Sequence, residues 1–473
     1  MKKERYIDSD LVHVYEMVSD KKGAQKRKLF ATFFWGDKVT ITGQSAESWF
    51  IKLQRWEWNE TKRHGQYTSH NCFFSKKVKF RETALLKVRF VDVGQGDGAV
   101  LESPDGQVVF IDGGEQQHML NYVRAAYSHL LQKGPLKCSA IVVSHGDADH
   151  FAGLTKLVAG KRPNAKSKST DLMTAERVFH NGLVKRPTSG QKVGPFGAEA
   201  RVGKVKYAVE LENDLRLVSP KKMNKPFADW QKALKTLRTA SDKKPVIRRL
   251  EYGDDKEFDF LDHEGISVKV LGPLVEQVKG KPALPFIQDA SHTINGHSIV
   301  LKITFGNVRI LFGADLNEKS EGNLLQRCMR DNVSLGAEIL KVPHHGSADF
   351  NPRMLEAVSP VVSVVSSGDE SSAKEYIHPR AGLVGALGKY SRGTVEKPLV
   401  YVTEMVAFFQ RLKETPTAHN LYQKKAFGIV HIRTDGERVL VVTHSGKDDQ
   451  KESYAFHVNE RSEVQFEEAI RPV

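Results

Sequence analysis

The stretch Ile141–Leu154, IVVSHGDADHFAGL, constrains this chain more than any other. An apolar run ends at Ser144, and four side chains able to bind a cation follow directly: His145, Asp147, Asp149 and His150. Phe151, Leu154 and Leu157 then recur at helical spacing, so the polar groups are predicted to sit in a turn between a buried strand and a helix. His145 and Asp147, two residues apart, can approach one cation; Asp149 and His150 can reach a second beside it. Gly, Asp and Ala also suit a plain polar turn. Two His and two Asp after an apolar strand favour a metal site instead.

HGDADH resembles the H-x-H-x-D-H signature of the metallo-β-lactamase-fold hydrolases, with Asp147 where most members carry the second His. The Asp-for-His variant is similar to the soluble metal-hydrolase domain of the ComEC family of DNA-uptake proteins. The likeness runs from Lys87 to Gly388 and includes a VGQGDA-like turn at Val93–Gly98, an N-x-x-S stretch at Asn295–Ser298, the loop Gly313–Ala314–Asp315, the turn V-P-H-H-G ending at Gly346, and a late His378–Pro379. It implies an α/β fold, the αββα sandwich of that family.

The resemblance also implies roles. His145, Asp147 and His345 would hold one divalent ion, Asp149 and His150 a second, with Asp315 bridging. His297 could complete the second ion, with His292 as an outside candidate. Asp112, after the third strand of the domain, would support the metal loop from behind. Gln95 and Asp97 are expected at the lip of the site. Asn295, Ser298 and Ser347 are candidates for substrate contact, and His344, His378 and Lys341 for leaving-group protonation or phosphate contact. Strand alternation would put Asn295 and His297 on one side and Ser298 on the other. Asp147 in place of an imidazole hardens the site, which favours Mn²⁺, with Zn²⁺ or Mg²⁺ as alternatives.

The expected reaction is phosphodiester hydrolysis by water activated between two cations, with Asp149 in the reacting constellation. Nucleic acid, DNA or RNA, is the leading substrate. A small phosphodiester such as a cyclic nucleotide is the first alternative, and a non-catalytic nucleic-acid-binding or assembly subunit the second. The formal net charge of +14 favours anionic partners. Partner proteins in a multi-component system are a further expectation.

Residues 1–82 read as a separate β-rich module of the SH3 or OB kind, from alternating runs broken by Gly36 and Gly43. Arg55, Lys62, Arg63, Lys76, Lys77 and Lys79 lie among Trp35, Trp49, Trp56 and Trp58, a composition that suits either a core or a nucleic-acid platform. Residues 83–473 read as the hydrolase domain with a basic insertion at about 160–250. Within the insertion, Lys221–Arg249 could track a phosphate backbone or form a solvated loop. Pro226, Phe227, Trp230, Leu234 and Leu237 predict a short helix there, and Leu120, Val123, Tyr127 and Leu130 an amphipathic helix over Gln117–Gln132. Strand-like runs after Lys397 either finish the second sheet or form an added hairpin.

Cys72, Cys138 and Cys328 are too few and scattered for a disulfide framework. No export signal or membrane span is legible, so a cytoplasmic location is expected and β-lactam hydrolysis is not.

Overall fold

In the computed structural model the described residues are 3–20, 22–59, 64–162, 170–187, 194–368, 378–393, 395, 398–406, 408–411, 422–426, 428–444 and 452–467. Two sheets stack face to face. The first has ten strands and runs from Val246–Arg249 at one edge, through Met173–His180, Leu136–Val142, Val108–Ile111, Ala99–Glu102 and Leu86–Val91, to four strands of the C-terminal region. The second has six: Ile266–Gly272, Val300–Phe305, Val308–Phe312, Ile339–Lys341, Val362–Val365 and Leu399–Val402.

Period-two patterning explains the stacking. Leu86, Val88 and Phe90 of the first sheet meet Val268, Val270, Leu301, Ile303 and Ile310 of the second in one buried core. Leu136–Val142 is apolar on both faces because both are covered: Ala140 and Val142 enter the inter-sheet core, while Cys138 and Ile141 pack under helices. Helices His118–Ala126, Ala148–Val158 and Lys225–Thr236 cover the outer face of the first sheet through Leu120, Val123, Phe151, Leu154, Phe227 and Trp230. Glu318–Arg330, Pro352–Val358 and Ala381–Tyr390 cover the second through Leu324, Leu355, Leu383 and Leu387. The layers are therefore helix, sheet, sheet, helix, the expected αββα sandwich.

The C-terminal runs divide between the sheets. Leu399–Val402 closes the second, and Ile429–Thr434 pairs antiparallel with Leu86–Val91 to extend the first. Phe408–Arg411 and Tyr422–Ala426 form a separate hairpin. The amphipathic helix breaks at Tyr127, giving His118–Ala126 and Ser128–Leu131. That break shifts the buried face, so Leu131 is buried and Leu130 exposed.

The N-terminal region is β-rich, with seven antiparallel strands from Lys3–Ile7 to Phe80–Arg81. Among the described residues no ladder joins its edges, Gln25–Phe34 and Phe80–Arg81. Phe34 and Trp35 pack on Leu440, Val442 and Ala455. The Arg433 guanidinium donates to Trp35 O at 2.7 Å and Asp37 Oδ1 at 2.8 Å across the same contact. Cations and rings of this region pair with each other: the Arg55 guanidinium lies 3.9 Å from the Phe30 ring centre, and the Lys76 ammonium 3.2 Å from that of Trp49. Lys62 and Arg63 lie outside the described residues.

Candidate metal centre

The site forms where strands of both sheets end. Leu136–Val142 runs into Ser144 and the turn His145–Asp147, and the helix Ala148–Val158 begins at once, which places Asp149 and His150 in its first turn. From the other sheet, Val308–Phe312 leads into Asp315, and Ile339–Lys341 into the tight turn His344–Gly346. His344 N donates to Ala314 O at 2.9 Å, which ties these two loops together. Asp112, Ala314, His344 and His345 all have positive φ, 57°, 46°, 49° and 51°. Non-glycine residues rarely adopt such angles, and here they aim side chains into one place. Gly96 fits the same crowding: a Cβ there would lie 1.7 Å from Asp149 O.

Three imidazoles converge on one carboxylate oxygen. Asp315 Oδ2 lies 3.0 Å from His345 Nε2, 3.3 Å from His150 Nε2 and 3.8 Å from His145 Nε2. Asp149 Oδ2 lies 3.7 Å from His345 Nε2, and Asp147 Oδ2 3.9 Å from His145 Nε2. All three Nε2 atoms and Asp315 Oδ1 are buried without a hydrogen-bond partner among the described residues. Buried polar atoms of this kind are ordinarily satisfied, and imidazole nitrogens facing carboxylates are a donor set for a divalent cation. The residues fit such an ion.

The far sides of these rings are held. His150 Nδ1 lies 2.8 Å from Asp112 Oδ2, and Asp112 also accepts from Ser144 N at 2.7 Å and Ser144 Oγ at 2.6 Å. His345 Nδ1 is 3.1 Å from both Ser366 O and Asp97 Oδ1. Partners of this type fix ring orientation and leave Nε2 for a cation.

Burial and charge oppose each other throughout. Burial lowers His150, but the Asp315 and Asp112 carboxylates outweigh it and hold the ring well above the ordinary histidine range. His345 is pushed up to about 10 against burial by Asp315 and Asp97. His145 goes well below its ordinary value through burial and its cationic neighbour His150. Asp315 is kept ionised, its pKa well below the usual range, by His345 and His150 in spite of burial. Burial raises Asp112 and Asp147.

Beside the cluster opens a cavity of about 160 Å³, lined in part by Gln95, Asp149, Asn295, His344, Ser367 and His378. Asn295 Nδ2 and His344 Nε2 are 3.3 Å apart. Burial lowers the pKa of His344, and takes His378 down to about 4.

Several expected site residues lie elsewhere. His297 is buried with Nε2 2.7 Å from Pro285 O. Residues Ala290–Gly296 are helical, which removes the strand alternation that placed His297 beside Asn295. His292 pairs with Asp289 at 2.9 Å. Ser298 is fully buried, its hydroxyl donates to Asn295 O at 2.7 Å, which braces the loop, and it is not among the cavity-lining residues. Ser347 Oγ accepts from Asp349 N at 3.2 Å, and Ser347 is not among the cavity-lining residues. Lys341 is buried beneath the cluster in an ion pair with Asp97, because the end of its strand points between the sheets. Asp97 is accordingly an interior residue and not a lip residue. It joins His150, Asp315 and His345 in a group whose ligand-type atoms all lie within 4.8 Å of one another. Because Asp97 meets Nδ1 of His345, the side away from Asp315, it orients that ring.

Lys185 escaped the sequence reading altogether. Its ammonium forms an ion pair with Asp147 Oδ1, yet it lies in an irregular basic stretch with no motif around it. In the same insertion the lysines and arginines with described side chains largely have internal partners, such as Lys222 with Glu210, Lys225 with Asp229 and Arg248 with Glu257.

A buried His and Asp cluster at the strand ends of an αββα sandwich defines a metal-dependent hydrolase site. Residues 91–221 form a metallo-beta-lactamase superfamily domain segment, matching the model of that family from the end of strand Leu86–Val91 through the metal turn. Asp315 and His345 lie beyond the match and complete the site from the second sheet. No curated protein matches the chain. No helix among the described residues is long and apolar enough to cross a membrane.

Proposed function

We propose that the protein is a metal-dependent phosphodiester hydrolase of the ComEC-like kind, acting on DNA or RNA in the cytoplasm. The observation that carries this reading is the convergence of three imidazole Nε2 atoms on Asp315 Oδ2 beside a polar cavity. His145, His150, His345, Asp147, Asp149 and Asp315 would hold two divalent ions, and Asp147 favours the harder Mn²⁺ over Zn²⁺. When bound, such ions lower the pKa of water and offset charge developing on phosphorus oxygens. The chain's own residues do the rest. Asn295 presents an amide donor to the cavity, and His344 and His378, kept neutral by burial, each offer one ring N–H to a phosphate oxygen. The net charge of +14 draws a polyanion to the surface.

The small cavity favours a second reading, a compact phosphodiester such as a cyclic nucleotide, as do the internal partners of the insertion's cations. One panel tests both: plasmid, single strands, RNA and cyclic dinucleotides, after EDTA treatment and rescue by Mn²⁺, Mg²⁺ or Zn²⁺. Metal-rescued cleavage of polynucleotide supports the first reading, and turnover confined to the cyclic substrate supports the second. No turnover of any phosphodiester with any metal overturns both.

A further inference from the structure

We infer that Lys185 is a tethered cation that makes the two ion positions unequal, competing for the Asp147 carboxylate and weakening the position on that side. The inference rests on reading the cluster as a metal centre.

Asp147 occupies the N-cap position of Ala148–Val158 with extended backbone, φ −88° and ψ 142°, yet its side chain makes no cap hydrogen bond. Asn224, Asp289, Asn317 and Asn351 at the same position of other helices all do. An N-cap carboxylate ordinarily accepts from the first-turn N–H groups. Here it is turned into the site, where Oδ2 lies 3.9 Å from His145 Nε2 and Oδ1 takes the Lys185 ammonium.

The lysine arrives from a fixed backbone. Lys185 O accepts from Asn224 N at 2.9 Å, and Arg186 N donates to Pro195 O at 2.9 Å. The buried Arg186 guanidinium donates to Lys222 O at 2.9 Å and pairs with Glu210 at 2.9 Å. Val184 on the other side is fully buried. Only the side chain is left to move, and it is 33% exposed, so it can yield Asp147 to an ion and find water.

Among the described residues no lysine pairs with Asp149 or Asp315, the carboxylates of the other half of the site. Lys341 sits under Asp97, on the far side of the His345 ring from Asp315. Among the described residues, an ion among Asp149, His150 and Asp315 therefore has no ammonium to displace from its carboxylates, whereas an ion using Asp147 must displace one or sit beside it. Like charges at contact distance oppose each other strongly enough to separate the two affinities.

The test is a Mn²⁺ titration of the full chain, counting free ion by electron paramagnetic resonance, for the wild type, Lys185→Met, Lys185→Gln and Lys185→Arg. The wild type should bind one equivalent tightly and a second more weakly. Lys185→Met and Lys185→Gln should tighten the second step about fivefold, the worth of a partly exposed ion pair, and leave the first within about twofold. Lys185→Arg should keep the wild-type inequality. Two equal steps in the wild type, a second step unmoved in both neutral variants, or a single equivalent in all proteins overturns the inference while the metal-centre reading stands. If none of them takes up Mn²⁺ or Zn²⁺, the metal-centre reading itself falls.

Discussion

Asp112→Asn is the sharpest probe of how the site is held. Asp112 sits at φ 57°, a conformation Asn adopts nearly as readily, so the substitution tests the carboxylate and not the backbone. The amide oxygen can keep the bond from Ser144 N, but an NH₂ group must replace the oxygen that now faces both Ser144 Oγ and His150 Nδ1. A donor opposite His150 Nδ1 drives the ring proton to Nε2, the atom that faces Asp315 Oδ2 at 3.3 Å. The lone pair needed for a cation is then lost. Removing such an orienting partner typically lowers metal affinity 10- to 100-fold, about 1.4 to 2.7 kcal/mol. Fold stability should respond differently. Asn keeps the side-chain volume and the bond from Ser144 N, so the metal-free protein should stay folded, with a lowered melting temperature because the buried His150 loses its carboxylate partner. The assay is competition for Mn²⁺ or Zn²⁺ against a chromophoric chelator, with a thermal melt of the metal-free protein beside it. Unchanged affinity in a folded Asp112→Asn protein would refute the claim that Asp112 sets the His150 tautomer.

Other consequences follow from buried charge. At pH 7 His150 and His345 hold protons in the protein alone, so cation binding must expel them: calorimetric enthalpies should vary with buffer ionisation enthalpy, and apparent affinity should rise with pH. Buffer-independent heats would contradict this. Burial takes Glu321 from an ordinary 4.5 up to about 8, so the folded state keeps a proton the unfolded state has lost. Stability should fall as pH rises from about 4.5 to about 8 and then level, by at most about 5 kcal/mol at about 1.4 kcal/mol per pH unit. Glu321→Gln should flatten that slope in urea unfolding, and an unchanged slope would assign it to another group. Glu338 is fully buried between Arg309 at 3.0 Å and Arg392 at 2.9 Å. Glu338→Gln should lower unfolding free energy by about 3 kcal/mol, and a loss below about 1 kcal/mol would show the guanidiniums re-solvate freely.

Local patterns carried much of the architecture. LKVRFV, AVLE, VVFI and LKCSAIV became the predicted strands because their β-branched and aromatic residues had to be buried on one or both faces. The dense HGDADH turn, the GAD loop and the HHG turn each announced themselves as metal-competent groups at strand ends, and the fold brings them within 4 Å of one another. What stayed hidden depended on contacts between segments distant in sequence. Nothing around Lys341 shows that it lies under Asp97, 244 positions away, because an amphipathic lysine at a strand end suits either a cavity or an interior ion pair. His297 misled because a His two residues after an Asn reads the same in strand and helix, and only the helix Ala290–Gly296 turns it toward Pro285 O. Lys185 is the extreme case. Its partner Asp147 is the residue that departs from the usual His, and exchanging an imidazole for a carboxylate creates a negative charge that a cation elsewhere in the chain can then answer. Within the motif that exchange is a change of ligand, whereas in the folded chain it is equally a change of partner, met by a lysine 38 positions on.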